Sequence, residues 1–406
     1  MKILQVNKFN YIRGGAEKYF LEIGEELKKA GHQVAFFSMK HPKNLPSPWE
    51  KYFVSRISFN EGTWRDSLLA PGRIIYSFEA KRKFSKLVED FKPDIIHIHN
   101  IYHQISPSIL SVAIKKKIPV VMHLHDYKLV CPNYQLFVNN KICYRCWPKN
   151  YIQCFKNCCF KNSIIKSLLA TIEMWFHHKV LKIYEKSISC FIAPSKFMKE
   201  TLIKFNWPED KIKVIYNFSE KMENNFVDKL ENYGLYYGRL SKEKGIDILL
   251  QAIKKSNNNF TLKIVGSGPE EKNLKELSNT LGLNKQVEFL GFKSGNDLYD
   301  IVKKAKAIFL PSIWNENMPF VLLEALSLKK VVVVSRTGGL PELITNKDTG
   351  FIFENGNEEE LADIIKNLNQ YDLKKIGEKA HEISRDLNVN NHLVKILEIY
   401  NKLLKN

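Results

Sequence analysis

The sequence predicts two doubly wound α/β domains in one chain. Strand and helix patterns alternate in two series along 406 residues, which implies two parallel sheets with crossover helices. The motifs richest in glycine and charge fall where a strand hands over to a helix, and ligands in such sheets bind at the carboxyl ends of the strands. A hydrophobic content of 44% supplies enough apolar side chains for two cores.

The first series opens with residues 2–6 (Lys-Ile-Leu-Gln-Val), a buried strand followed by a loop carrying Gly14-Gly15. A helix over about 16–30 stops at Gly31-His32, and Gln33 to Ser38 return as a strand. Further strands fit at Asp94–His99, Pro119–His123 and Cys190–Ala193. The second series places strands at 234–237, 260–265, 286–290, 307–311 and 330–334. Between the two series, Asn217 to Asn232 is polar and without a clear period, as a linker would be. The last segment carries Leu393, Ile396, Leu397, Tyr400 and Leu403 at helical spacing. The expected division is 1–215 with a cysteine-rich insert at 131–159, then 216–385, then a helix over 386–406.

Chemistry gathers in the second series. Arg239 and Lys244 lie in Gly238-Arg-Leu-Ser-Lys-Glu-Lys-Gly245, on a strand-to-helix loop whose helix N-terminus already favours anions. Two cations there make a diphosphate clamp, although a solvated basic loop is the plain alternative. Glu316 and Glu324 stand eight residues apart, the first in a loop, the second inside the apolar helix start Phe320-Val-Leu-Leu-Glu-Ala-Leu, where a carboxylate needs a partner. Carboxylates accept hydrogen bonds from sugar hydroxyls, so the four residues suggest a site for a nucleotide diphospho-sugar. Gly266, Gly268 and the pair Gly338, Gly339 occupy similar strand ends, as tight turns or as backbone contacts to a ligand. In the first series His125 ends a strand beside Asp126, a neighbour able to orient its ring, whereas His123 reads as a core histidine.

These motifs, with Arg13-Gly-Gly-Ala-Glu-Lys, His125-Asp-Tyr, Pro194-Ser, Val265-Gly-Ser-Gly-Pro and Gly338-Gly-Leu-Pro-Glu, occur in an order and spacing that resemble the retaining GT-B glycosyltransferases of glycosyltransferase family four. The resemblance runs nearly end to end. It implies two Rossmann-like domains facing across a cleft, with the C-terminal helix crossing back to the N-terminal domain. It also implies a donor site of Gly14, Gly15, Arg239, Lys244, Gly266, Gly268, Glu316, Glu324, Gly338 and Gly339, with Glu324 toward the donor ribose and Glu316 near the sugar. His125, Glu316, Arg239 and Lys244 carry the catalytic expectation, as stabilisers of charge on the departing diphosphate. No Asp-x-Asp motif stands at a suitable strand end, and the expected transfer needs no metal.

The formal charge of +19 calls for an anionic partner. No nucleic-acid reading module is recognisable, so nucleic acid is not expected and an anionic membrane surface is. No apolar run approaches the ~20 residues of a spanning helix, nor does the start look like a signal peptide, which sets the expectation of a cytoplasmic protein, peripheral on the inner face of the membrane. The segment Phe160 to Lys186 mixes lysines with Trp, Phe, Leu and Ile, as a membrane-surface helix or as a core helix with a solvated basic edge. Acceptors of such enzymes are often lipid-linked glycans, with recognition in N-terminal loops such as 40–75.

Six of seven cysteines fall between Cys131 and Cys159. Their short spacings suggest structural zinc on Cys143, Cys146, Cys154 and Cys158 or Cys159, against reduced thiols or disulfides. The expected function is a retaining glycosyltransferase of bacterial surface polysaccharide synthesis. Its rivals are a GT-B nucleotide-sugar epimerase and a non-catalytic zinc-bearing protein that binds membrane or nucleic acid. A glycosidase pair of carboxylates would leave the cationic clamp unexplained.

Overall fold

The computed structural model describes residues 1–56, 72–219 and 230–405. Part of the linker (220–229) and part of the 40–75 segment (57–71) lie outside the described residues. The chain divides into two compact units, one of Met1–Gln135, Tyr144–Ile215 and His392–Asn406, the other of Leu136–Cys143 and Tyr216–Asn391.

In the first unit, strands β1 (Lys2–Val6), β2 (Gln33–Phe37), β3 (Ile95–Ile98) and β4 (Val120–His123) form most of a six-stranded sheet. The short hairpin β5 (Phe137–Val138) and β6 (Lys141–Ile142) belongs to the other unit, and β7 (Cys190–Ala193) and β8 (Ile212–Val214) complete the first sheet. Its order is β2-β1-β3-β4-β7-β8, with every pairing parallel. β3, β4 and β7 are buried at every position, as expected of parallel strands covered on both faces.

The second sheet contains β9 (Tyr233–Tyr237), β10 (Thr261–Val265), β11 (Val287–Gly291), β12 (Ala307–Leu310), β13 (Val331–Ser335) and β14 (Phe351–Phe353). Its order, β11-β10-β9-β12-β13-β14, is again wholly parallel. The winding reverses between β9 and β12, the switch point at which sheets of this kind bind ligands. Two apolar clusters sandwich the sheet, one around Leu249, Leu262 and Phe309, the other around Leu235, Leu322 and Val332.

The last helix, Val389–Lys405, returns to the first unit. Tyr400 Oη meets His97 Nδ1 at 2.6 Å, and His392 Nε2 meets Tyr19 Oη at 2.7 Å, all four side chains being buried.

Candidate functional site

Two loops meet at the switch point of the second sheet. After β9 the chain passes Gly238 and Arg239 into a short turn, Lys242–Lys244, and then into the Ile246–Ser256 helix. Gly245, at φ +64°, makes that transition, and a Cβ on it would fall 2.0 Å from the Pro311 carbonyl oxygen at the exit of β12. Only glycine allows both the left-handed backbone and this approach. The Ile313 N–H donates to the Glu243 carbonyl at 2.9 Å, binding the loops together.

This contact delivers Lys244 to Glu316. Lys244 Nζ lies 2.5 Å from Glu316 Oε1, and the Ser312 hydroxyl donates to the same oxygen at 2.7 Å. Glu316 is buried. Burial by itself would raise its pKa, but the Lys244 ammonium, Ser312 and Trp314 outweigh it and hold the carboxyl below its ordinary value. The Trp314 ring stands 5.4 Å from Lys244 Nζ, within cation–π range.

The exit of β13 closes the arrangement from behind. Gly338 has φ +54°, and a Cβ there would sit 2.0 Å from the Glu316 carbonyl oxygen. The Gly339 N–H donates to that carbonyl at 2.7 Å, so this amide holds the Glu316 backbone in place. Gly266 and Gly268 act alike on the other side: added Cβ atoms would meet the carbonyl oxygens of Gly238 and Leu240 at 1.9 and 2.2 Å. Four of the glycines named from the sequence therefore pack loop against loop. Glu324 lies in the Phe320–Ser327 helix, half-buried, and accepts from the Tyr237 hydroxyl at 3.2 Å. Arg239, on the loop that leaves β9, is exposed.

The first unit has its own polar cluster at the carboxyl ends of β1, β3 and β4. His125 Nε2 meets His99 Nδ1 at 2.9 Å, and His99 Nε2 meets Gln5 Oε1 at 2.8 Å. Burial, then the charge of Lys8, pushes the His125 pKa down to about 3, which keeps the ring neutral. Asp126 Oδ1 accepts from the Lys128 amide at 2.9 Å. Gly14 and Gly15 are exposed at the start of the Gly15–Lys29 helix. Behind them Glu17 is buried, its pKa raised by burial against the opposing charges of Lys8 and Arg13. In the sequence Glu17 stands inside the Arg13–Lys18 motif without a role assigned to it, although an acid in the first turn of a helix is a recognisable signal.

None of the seven cysteines is in a disulfide. Cys154 and Cys159 share a hydrogen bond that, with burial, raises the pKa of the first; the same bond and the charge of Arg145 lower that of the second to about 7 against the opposing effect of burial. Cys131 Sγ donates to Asn133 Oδ1 at 2.8 Å. Among the described residues no three of His, Cys, Asp and Glu form a set able to hold a metal ion. Cys143, Cys146, Cys154 and Cys158 do not form such a set, and Cys158 turns through φ +46° while Cys159 takes the place beside Cys154.

Two sequence models match the chain, glycosyl transferases group 1 over residues 217–384 and Glycosyltransferase Family 4 over residues 13–219. An uncharacterized 42.6 kDa protein in the cps region of Klebsiella pneumoniae is 27% identical over 360 residues, 84% of this chain and 87% of its own length. The amylovoran biosynthesis glycosyltransferase AmsK of Erwinia amylovora is 28% identical over 190 residues, 43% of this chain and 46% of its own. Among solved structures, Anabaena HepE in complex with UDP matches with a TM-score of 0.67 at 20% identity, covering 99% of this chain and 100% of that one.

Proposed function

Because the chain belongs to the group 1 glycosyltransferases of GT-B fold, we propose that it transfers a sugar, with retention, from a nucleoside diphosphate donor to a lipid-linked glycan in surface polysaccharide synthesis. The observation that carries the donor assignment is the buried Glu316 carboxylate, ionised and held by Lys244 and Ser312 at the switch point of the second sheet. HepE in complex with UDP supports a nucleoside diphosphate, and the relatives from the cps region and from amylovoran synthesis support a surface glycan.

Arg239 and Lys244 neutralise the diphosphate, and Glu316 and Glu324 accept hydrogen bonds from the sugar and ribose hydroxyls. Lys244 is shared between Glu316 and the arriving phosphate, which fixes its ammonium before the bond breaks. The anomeric carbon–phosphate oxygen bond breaks, a bond to the acceptor oxygen forms on the same face, and the acceptor proton passes to the departing phosphate. Neutral His125 hydrogen-bonds to the reacting sugar or acceptor. With these cations in place the transfer requires no metal.

Calorimetric titration with UDP, GDP and ADP in the presence of EDTA tests this. Micromolar binding of one nucleotide, lost in Lys244→Ala and weakened in Glu324→Ala, is expected. Unchanged binding in both variants would overturn the donor site.

A further inference from the structure

One helix of the first unit carries its apolar face outward. In Ile164–Trp175 the inward positions are Ser167, Ala170, Thr171, Glu173 and Met174, small or polar for the most part. Ile165, Leu168, Ile172 and Trp175, spaced three, four and three residues apart, form the opposite stripe, flanked by Ile164 and Val180. These six side chains are between 40% and 79% exposed. A contiguous apolar stripe left in water marks an interaction surface.

The charges around the stripe say what covers it. Lys161, Lys166, Lys179 and Lys182 are exposed beside it. Both carboxylates of the 155–187 stretch are neutralised within the protein. Glu173 lies 2.8 Å from Lys128 Nζ, the two side chains 1% and 3% exposed, and Glu185 lies 2.9 Å from Lys149 Nζ. The face is therefore apolar at its centre and cationic at its margin. A second copy seated on it would set lysine against lysine, whereas an anionic bilayer satisfies both features.

We propose that the Ile164–Trp175 helix seats the first unit on an anionic membrane surface, lying in the headgroup region. Among the described residues no helix is long and apolar enough to cross a membrane, in keeping with an interfacial seat. The buried Lys128–Glu173 pair fastens this helix to the loop that begins at His125, so the seat and the acceptor-side loop form one body. This inference deepens the lipid-linked reading of the acceptor, but its test does not depend on transfer chemistry.

The full chain is sedimented with vesicles of phosphatidylglycerol and phosphatidylethanolamine, and with phosphatidylcholine vesicles as the neutral control. Binding to the anionic vesicles alone, weakening as salt rises, is expected. An Ile165→Ser/Trp175→Ser variant, matched to wild type in circular dichroism and thermal midpoint, should bind at least tenfold more weakly. Lys166→Glu/Lys179→Glu should remove most of the salt-sensitive part. Failure of the wild type to bind anionic vesicles, or undiminished binding by the serine variant, would overturn the proposal. So would a dimer in light scattering that the serine variant dissolves, because the face would then belong to a second copy. Nucleotide binding measured without vesicles separates these outcomes from a failed donor site.

Discussion

Replacing Lys244 by alanine should do more than remove a phosphate ligand. Glu316 is only 5% exposed, and the substitution leaves its carboxylate with Ser312 as its remaining hydroxyl donor. Removing one partner of a buried pair costs about 3–5 kcal/mol. Lys244 keeps 22% of its side-chain surface, so solvent screening brings the expected loss to about 2–3 kcal/mol at neutral pH. For a unit of this size that corresponds to a midpoint lowered by roughly 4–12 °C. Thermal unfolding followed by tryptophan fluorescence is a suitable assay, since Trp314 lies beside Lys244.

The pH dependence identifies the cause. In the wild type the folded pKa of Glu316 lies below its ordinary 4.5, so its contribution is present above that value and is lost as pH falls through the folded pKa. In the variant, burial dominates and the folded pKa rises above the unfolded one, so acid relieves the buried charge. The gap between wild type and Lys244→Ala should therefore narrow from pH 7 to pH 4. Adding Glu316→Gln should restore part of the lost stability at pH 7. A gap below about 0.5 kcal/mol at pH 7, the size of an exposed pair, would refute the reasoning. So would one that ignores pH.

Gly338→Ala forces a Cβ against the Glu316 carbonyl oxygen from a left-handed backbone, at a cost of about 2–5 kcal/mol. Calorimetry should show nucleotide binding abolished or weakened at least tenfold, because the displaced segment is the one that carries Glu316. Glu173→Gln leaves the Lys128 ammonium buried without its counterion and should lose about 3–5 kcal/mol by thermal unfolding. The paired Lys128→Met/Glu173→Met variant should recover most of that loss, since no buried charge remains.

The strands with strong apolar runs were legible in the sequence. Val331–Val334 and Cys190–Ala193 are buried on both faces and read as strands without ambiguity. β8 and β14 passed unread: each has three residues, and their strand character comes from pairing with β7 and β13. Lys244 and Glu316 could each be placed on a strand-exit loop, but not opposite one another, because only the crossover that makes β9 and β12 neighbours joins residues 72 apart. The same limit hid the His99 partner of His125 and the role of the glycines, whose missing side chains are filled by backbone from distant loops. Cysteine spacing suggested a shared ligand set, yet spacing does not fix which way a hairpin or a turn carries each sulfur.

The return of the C-terminal helix to the first unit has a consequence for synthesis. Tyr19 and His392 are 373 residues apart, and His97 and Tyr400 are 303 apart. At roughly 5–20 residues per second, Tyr19 and His97 wait about 15–75 s on the ribosome before the helix that covers them exists. The first unit to begin folding is therefore the last to be finished. Until then its buried histidines and tyrosines stand open to solvent and to chaperones, and a chain stalled before the Val389–Lys405 helix is made leaves that face uncovered.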